Sequence, residues 1–164
     1  MMDKGLKPII ENNSKILILG SLPSKQSIRN QRYYDNKSNQ FWKLISSVFE
    51  NKCIDFQNYD EKISFLKKYN IALWDVLKKA QRYGSLDNNI KNEKYNDLKT
   101  LLTNSNINDI YVNGRKAERS LKKYTKDNSL NIEYKYLPSS SNLNTTYNFE
   151  TKIIIWKQTI KKQI

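Results

Sequence analysis

Residues 17–42 read LILGSLPSKQSIRNQRYYDNKSNQFW, and the rest of the chain is organised around them. Residues 16–19 form an apolar run too short for a helix and closed by Gly-Ser, the pattern of a strand buried on both faces. Gly20 permits a sharp turn, Pro23 stiffens it, and Ser21, Ser24 and Ser27 bring hydroxyls without bulk. A small-residue loop leaving the carboxyl end of a buried strand is a usual ligand position in an open α/β sheet. That loop then carries Tyr33-Tyr34 and Asn39-x-Phe41-Trp42, aromatic and amide groups where a plain connection tends to be small and polar.

The rest of the chain extends the pattern. Helices are expected from Asn39 or Gln40 to about Phe49, over 60–68, from about Tyr95 to Thr103, from Arg115 to about Lys123, and from near Thr145 or Thr146 onward. The last should bury Phe149, Ile153, Trp156 and Ile160, spaced four, three and four. Further short strands are expected at 71–73, 110–112 and 132–137, and residues 78–92 read as polar chain with a turn at 84–87. Strands alternating with helices imply an α/β fold with a central, mainly parallel four-stranded sheet covered on both faces. Polar clusters at Gly20-Ser21, Trp74-Asp75, Asn113-Gly114 and Pro138-Ser139 directly follow the four strands, so all fall along one sheet edge.

Composition bounds the function. At 164 residues without a Pro/Gly/Ser-rich linker, 1–164 reads as a single domain. The longest apolar stretches are too short to span a membrane and the N-terminus has no secretory pattern, so a cytoplasmic protein is expected. One cysteine, Cys53, and no histidine leave no plausible zinc or iron-sulfur ligand set, so neither metal nor cofactor is expected. The loop after the first strand lacks the Gly-Lys-Ser/Thr ending of a phosphate-binding P-loop. A net charge of +13, from 29 Lys and Arg against 16 Asp and Glu, suits a polyanionic partner. The same surplus is what a Lys-, Asn- and Ile-rich composition gives without any such partner.

The motifs add a family. GSLPS at 20–24, Tyr33-Tyr34 and Asn39-x-Phe41-Trp42 resemble the first motif of the hypoxanthine-DNA glycosylase branch (family 6) of the uracil-DNA glycosylase superfamily. The agreement continues through IALWDVL at 71–77, Arg82-x-Gly84-Ser85-Leu86-Asp87, Asn113-Gly114-Arg115-x-Ala117 and LPSSS at 137–141. The chain departs from the branch where His-Pro before the asparagine becomes Lys37-Ser38, and where the last motif becomes Pro138 to Asn144 with Leu143 in place of a small residue. The resemblance implies a three-layer α/β/α sandwich whose strand-end clusters share one cleft. It also implies a monofunctional DNA glycosylase that flips out a deaminated base, hypoxanthine or uracil, and excises it in base excision repair. The partner would be DNA containing deaminated bases, and the protein would act as a monomer.

Such an enzyme must unstack its target nucleotide, hold it, and break the bond from base to sugar. The sugar then gains oxocarbenium character and the base gains negative charge, so a positioned water and preorganised donors are the useful groups. Asn39 matches the family's catalytic asparagine: its amide holds water through the carbonyl and donates through NH₂. The same residue also suits a helix N-cap. Base-binding residues are assigned to Ser21, Tyr34, Trp74, Asp75 and Asn113, with Tyr34 as the stacking ring and Asn113 reading the keto and ring N–H edge. DNA contacts are assigned to Ser24, Lys25, Ser139, Ser140, Ser141, Asn142 and Leu143, the leucine filling the gap left by the flipped nucleotide. Two other classes suit the same residues: a nucleic-acid-binding protein without catalysis, and a hydrolase acting on a free nucleoside or nucleotide.

Overall fold

The computed structural model describes residues 1–84 and 86–160. Strand β2, Ile16–Gly20, is buried at every position, as an apolar run covered on both faces requires. Side chains alternate across it: Ile16 and Ile18 join a cluster with α2 (Phe41–Glu50), α3 (Tyr59–Lys68) and α6 (Phe149–Thr159). Leu17 and Leu19 join a second cluster with α4 (Leu98–Thr103) and α5 (Arg115–Asp127). The sheet therefore sits between two helical layers, the expected three-layer α/β/α sandwich.

Strands β3 (Ile71–Asp75), β6 (Asp109–Asn113) and β7 (Lys135–Leu137) complete that sheet in the order β3-β2-β6-β7, with every pairing parallel. The register matters for the site. Gly20 pairs with Asp75, Leu19 with Val112, and Asn113 with Leu137, so the four carboxyl ends are flush. α6 buries Trp156 and Ile160 in the first cluster, with Phe149 and Ile153 packed against it, as the spacing indicated.

The segment 78–92 departs from the expectation of polar chain. Strands β4 (Leu77–Arg82) and β5 (Ile90–Tyr95) form an antiparallel hairpin that pairs with β1 (Met2–Lys4) in a separate sheet of order β1-β4-β5. Two register shifts break the alternation of β4, and exposed lysines hide it further; inside, Leu77, Ala80, Ile90 and Leu22 make a small cluster of their own. Arg82 locks the hairpin down, pairing with Asp3 at 3.0 Å and donating to the Pro23 carbonyl at 2.6 Å. Ser85, in the expected turn, lies outside the described residues.

Boundaries moved elsewhere as well. A short helix α1 (Lys25–Asn30) occupies part of the first loop, capped by Ser24. α4 starts three residues later than expected, at Leu98, because Tyr95 ends a strand and Asp97 supplies the N-cap. α6 begins at Phe149 after the Asn148 cap rather than near Thr145. Among the described residues no helix is long and apolar enough to cross a membrane, and no group of three metal-ligating side chains is found.

Candidate active site

A cavity of about 490 Å³ opens over the flush strand ends. Its floor is Gly20 beside Asp75. A Cβ built on Gly20 would lie 2.5 Å from Asp75 Oδ1 and 3.4 Å from the Tyr34 hydroxyl, so only glycine lets these groups converge. Asp75 is 4% exposed, and its Oδ2 has no hydrogen-bond partner. Burial, and then the charge of Asp87, push the Asp75 carboxyl up to about 8, against a smaller pull from Arg82.

Asp87 reaches the cavity from the β4–β5 hairpin and accepts from Ser21 Oγ at 2.9 Å. Its exposed position at the mouth admits water, while crowding by protein raises its carboxyl; the Ser21 hydroxyl and then Arg82, Lys116 and Arg119 oppose that rise. Asp87 thus has a hydroxyl and three cations opposing its rise, whereas Asp75 has only Arg82.

One wall is aromatic. Tyr34 sits in the left-handed region (φ 53°) with its ring stacked on Phe41, centroids 4.0 Å apart and planes 13° from parallel. Its hydroxyl accepts from Asn113 Nδ2 at 3.1 Å, and burial followed by the Asp75 charge raises its pKa. Tyr33 is a core residue that donates to the Lys7 carbonyl, and Trp42 is buried.

Asn39 lines the cavity at the start of α2, and its Oδ1 accepts from the Phe41 N–H at 2.9 Å. Gln40, at the cap position, makes no side-chain cap bond, so Asn39 caps the helix in its stead. The capping use weighed from sequence is therefore realised. The second lone pair of Oδ1 and the NH₂ group remain available to the cavity.

Asn113 is a connector. Its NH₂ donates to Tyr34 and to Ser140 Oγ (2.9 Å), and its Oδ1 accepts from the Ser140 N–H (2.9 Å). Gly114, at φ 96°, turns β6 into α5, and a Cβ there would lie 3.0 Å from that of Ser139. The loop 138–144 is thus bound to the sheet edge through Asn113 and to α2 through Ser140, whose carbonyl accepts from Gln40. Lys152, 1% exposed on α6, joins the same elements by donating to Gln40 Oε1 (2.9 Å) and the Ser141 carbonyl (3.0 Å); burial lowers its pKa. At the rim, Leu143 is 66% exposed, so it does not pack into the core against α6.

Of the residues assigned from sequence, Ser21, Ser24, Tyr34, Asn39, Asp75, Asn113, Ser139, Ser140, Ser141, Asn142 and Leu143 all line this cavity. Trp74 does not. It neighbours Asp75 on β3 and so points to the opposite face, among the cluster beneath α4 and α5, with Nε1 donating to the Leu6 carbonyl. Lys25 is exposed on α1 and is not among the lining residues. Asp87, Tyr136, Tyr147 and the basic trio Arg115, Lys116 and Arg119 also line the cavity, although none is assigned a role there from sequence. Asp87 stood in a quoted motif, but only as part of a turn.

Residues 8–159 match the family described as the uracil DNA glycosylase superfamily. A hypoxanthine DNA glycosylase of Methanosarcina acetivorans is 39% identical over 153 residues, covering 90% of this chain and 91% of that protein. Another, of Methanosarcina barkeri, is 38% identical over 118 residues, 71% of this chain and 74% of that one. The solution NMR structure of a candidate uracil DNA glycosylase from Methanosarcina acetivorans superposes with a TM-score of 0.77 at 34% identity, covering 97% and 99% of the two chains. With nearly the whole chain matched in sequence and in shape, this protein belongs to the uracil DNA glycosylase superfamily.

Proposed function

We propose that this protein is a monofunctional DNA glycosylase of base excision repair that removes a deaminated base, with hypoxanthine its foremost substrate and uracil its second. The observation that carries this reading is the 39% identity, over 90% of the chain, to a protein named hypoxanthine DNA glycosylase. The site geometry supports it. The flipped nucleotide enters over the flush strand ends, and its base rests against Tyr34, which Phe41 backs from behind. Asn39 aims its amide at the sugar, because the bond from the Phe41 N–H fixes the direction of Oδ1, and it holds the attacking water with its remaining lone pair.

Asn113 spends both N–H donors inside the protein, so its contribution is to hold Tyr34 and the loop 138–144 in place, with one lone pair of Oδ1 left for a donor on the base. Ser139, Ser140, Ser141 and Asn142 contact the DNA backbone from that loop, with Ser24 and Lys25 on the other side of the cleft. Arg115, Lys116 and Arg119 add positive charge to the cavity lining. The protein works as a monomer in the cytoplasm.

The test is incubation with labelled oligonucleotides carrying one deoxyinosine, deoxyuridine or deoxyxanthosine, followed by alkali. Strand cleavage after alkali, and none before it, is expected on deoxyinosine and deoxyuridine. The motifs place no lysine as a Schiff-base nucleophile, so borohydride should trap no covalent adduct; a trapped adduct contradicts the monofunctional reading.

A further inference from the structure

Asp75 is an oddity for a buried carboxyl. It lines the cavity, is 4% exposed, and keeps one oxygen without any hydrogen-bond donor. An ionised carboxylate so placed is strongly disfavoured, whereas a neutral acid carries a proton to give away. Of the groups facing it, Asp87 favours that state and Arg82 opposes it. Tyr33 and Tyr34 approach from the loop before α2, both with hydroxyl pKa values raised by burial and by the Asp75 charge. Asp87 approaches from the hairpin and Arg82 from β4; Arg82 is already committed to Asp3 and Pro23, and Lys116 and Arg119 face Asp87.

We propose that Asp75 is the general acid of the reaction, giving its carboxyl proton to N7 of a purine base as the glycosidic bond breaks, with neighbouring Asp87 helping to keep that proton in place beforehand. This rests on the glycosylase reading above and assigns the effect of the acid to purine bases. In the step, the Asp75 proton moves to N7 and the electron pair of the C1′–N9 bond goes to the base, which leaves as neutral hypoxanthine. Water adds to C1′, and its released proton returns through solvent to the Asp75 carboxylate. A pyrimidine has no ring nitrogen with a free lone pair before its bond breaks, so uracil gains little from this acid. Asp87 is a positioning residue, acting through Asp75.

The experiment compares single-turnover base release by the native protein and by Asp75→Asn from duplexes carrying deoxyinosine, 7-deaza-deoxyinosine or deoxyuridine. The 7-deaza base has carbon in place of N7. The native protein should be about a hundredfold slower on the 7-deaza substrate, and Asp75→Asn should lose about thirtyfold more on deoxyinosine than on deoxyuridine. Equal losses on deoxyinosine and deoxyuridine overturn the proposal, as does a native protein indifferent to N7. No release from deoxyinosine by the native protein sinks the glycosylase reading instead.

Asp87→Asn gives an independent measure. Release of hypoxanthine by the native protein should decline as pH rises through about 8, where Asp75 loses its proton. Removing the Asp87 charge makes that proton easier to lose, so the decline should move to lower pH. An unmoved profile overturns the role of Asp87.

Discussion

Among the described residues two sheets serve the same cavity in different ways. The parallel sheet β3-β2-β6-β7 contributes by register: its flush ends set Gly20, Asp75 and Asn113 side by side on buried, apolar strands. The small antiparallel sheet β1-β4-β5 has little core of its own and contributes by reach, carrying Asp87 over to Ser21. A rigid sheet edge is suited to holding the acid and the helix that presents Asn39. A hairpin anchored by one buried arginine is suited to tuning that acid from the side.

The largest effect is expected at the rigid edge. Asn39→Ala should lower base release by about a hundred- to a thousandfold, the usual cost of losing a preorganised polar contact at the reacting centre, with DNA affinity little changed. Because Asn39 also caps α2, the variant should lose about 1 kcal/mol of stability as well. Normal rates in the variant, measured with intact fold, would reduce Asn39 to a cap.

On the hairpin side, Arg82→Ala removes an ion-pair partner of Asp3 and a donor to the Pro23 carbonyl, and should cost about 3 kcal/mol. Hydrogen exchange should then quicken at the amides of β4 and β5 while those of β2 keep their protection. Uniform quickening across both sheets would mean that they unfold as one unit.

The acid itself gives a thermodynamic signature. A carboxyl that titrates near 8 in the fold and near 3.8 unfolded makes the native state bind the extra proton between those values, so its contribution to stability declines as pH rises across that window. Asp75→Asn escapes this decline. Its melting temperature relative to the native protein should therefore rise from about pH 5 to about pH 8 and level off beyond. A constant difference would mean that Asp75 is ionised throughout.

The smallest effect is expected at the rim. Leu143→Ala should weaken release from a well-paired lesion in duplex by about three- to tenfold, leave release from single-stranded DNA nearly unchanged, and hold the melting temperature within about a degree. Equal losses on both substrates would remove the wedge role.

How much of this was legible depends on how strongly each segment is constrained. Apolar runs such as 16–19 and 71–73 have a single reasonable use, and once they are strands in one parallel sheet the cavity edge follows. β4 and β5 were illegible because lysines and a bulged register hide an alternation that only Leu77, Ala80 and Ile90 keep. Trp74 was misplaced although a signal existed: neighbours on a strand face opposite ways, so Trp74 and Asp75 do not share a cavity. Lys152 sits in an apolar-looking helix and was passed over, since nothing local shows that its amine meets the Ser141 carbonyl and Gln40.

Base excision at the strand-end cavity is the activity on which the other assignments depend. Its most direct test is mass spectrometry of the small molecules released from a deoxyinosine duplex by the native protein and by Asn39→Ala. Free hypoxanthine should appear from the native protein in step with alkali-labile sites, and be depleted about a hundredfold or more with the variant. Release of deoxyinosine or its phosphate in place of the free base, or no release at all, would contradict it.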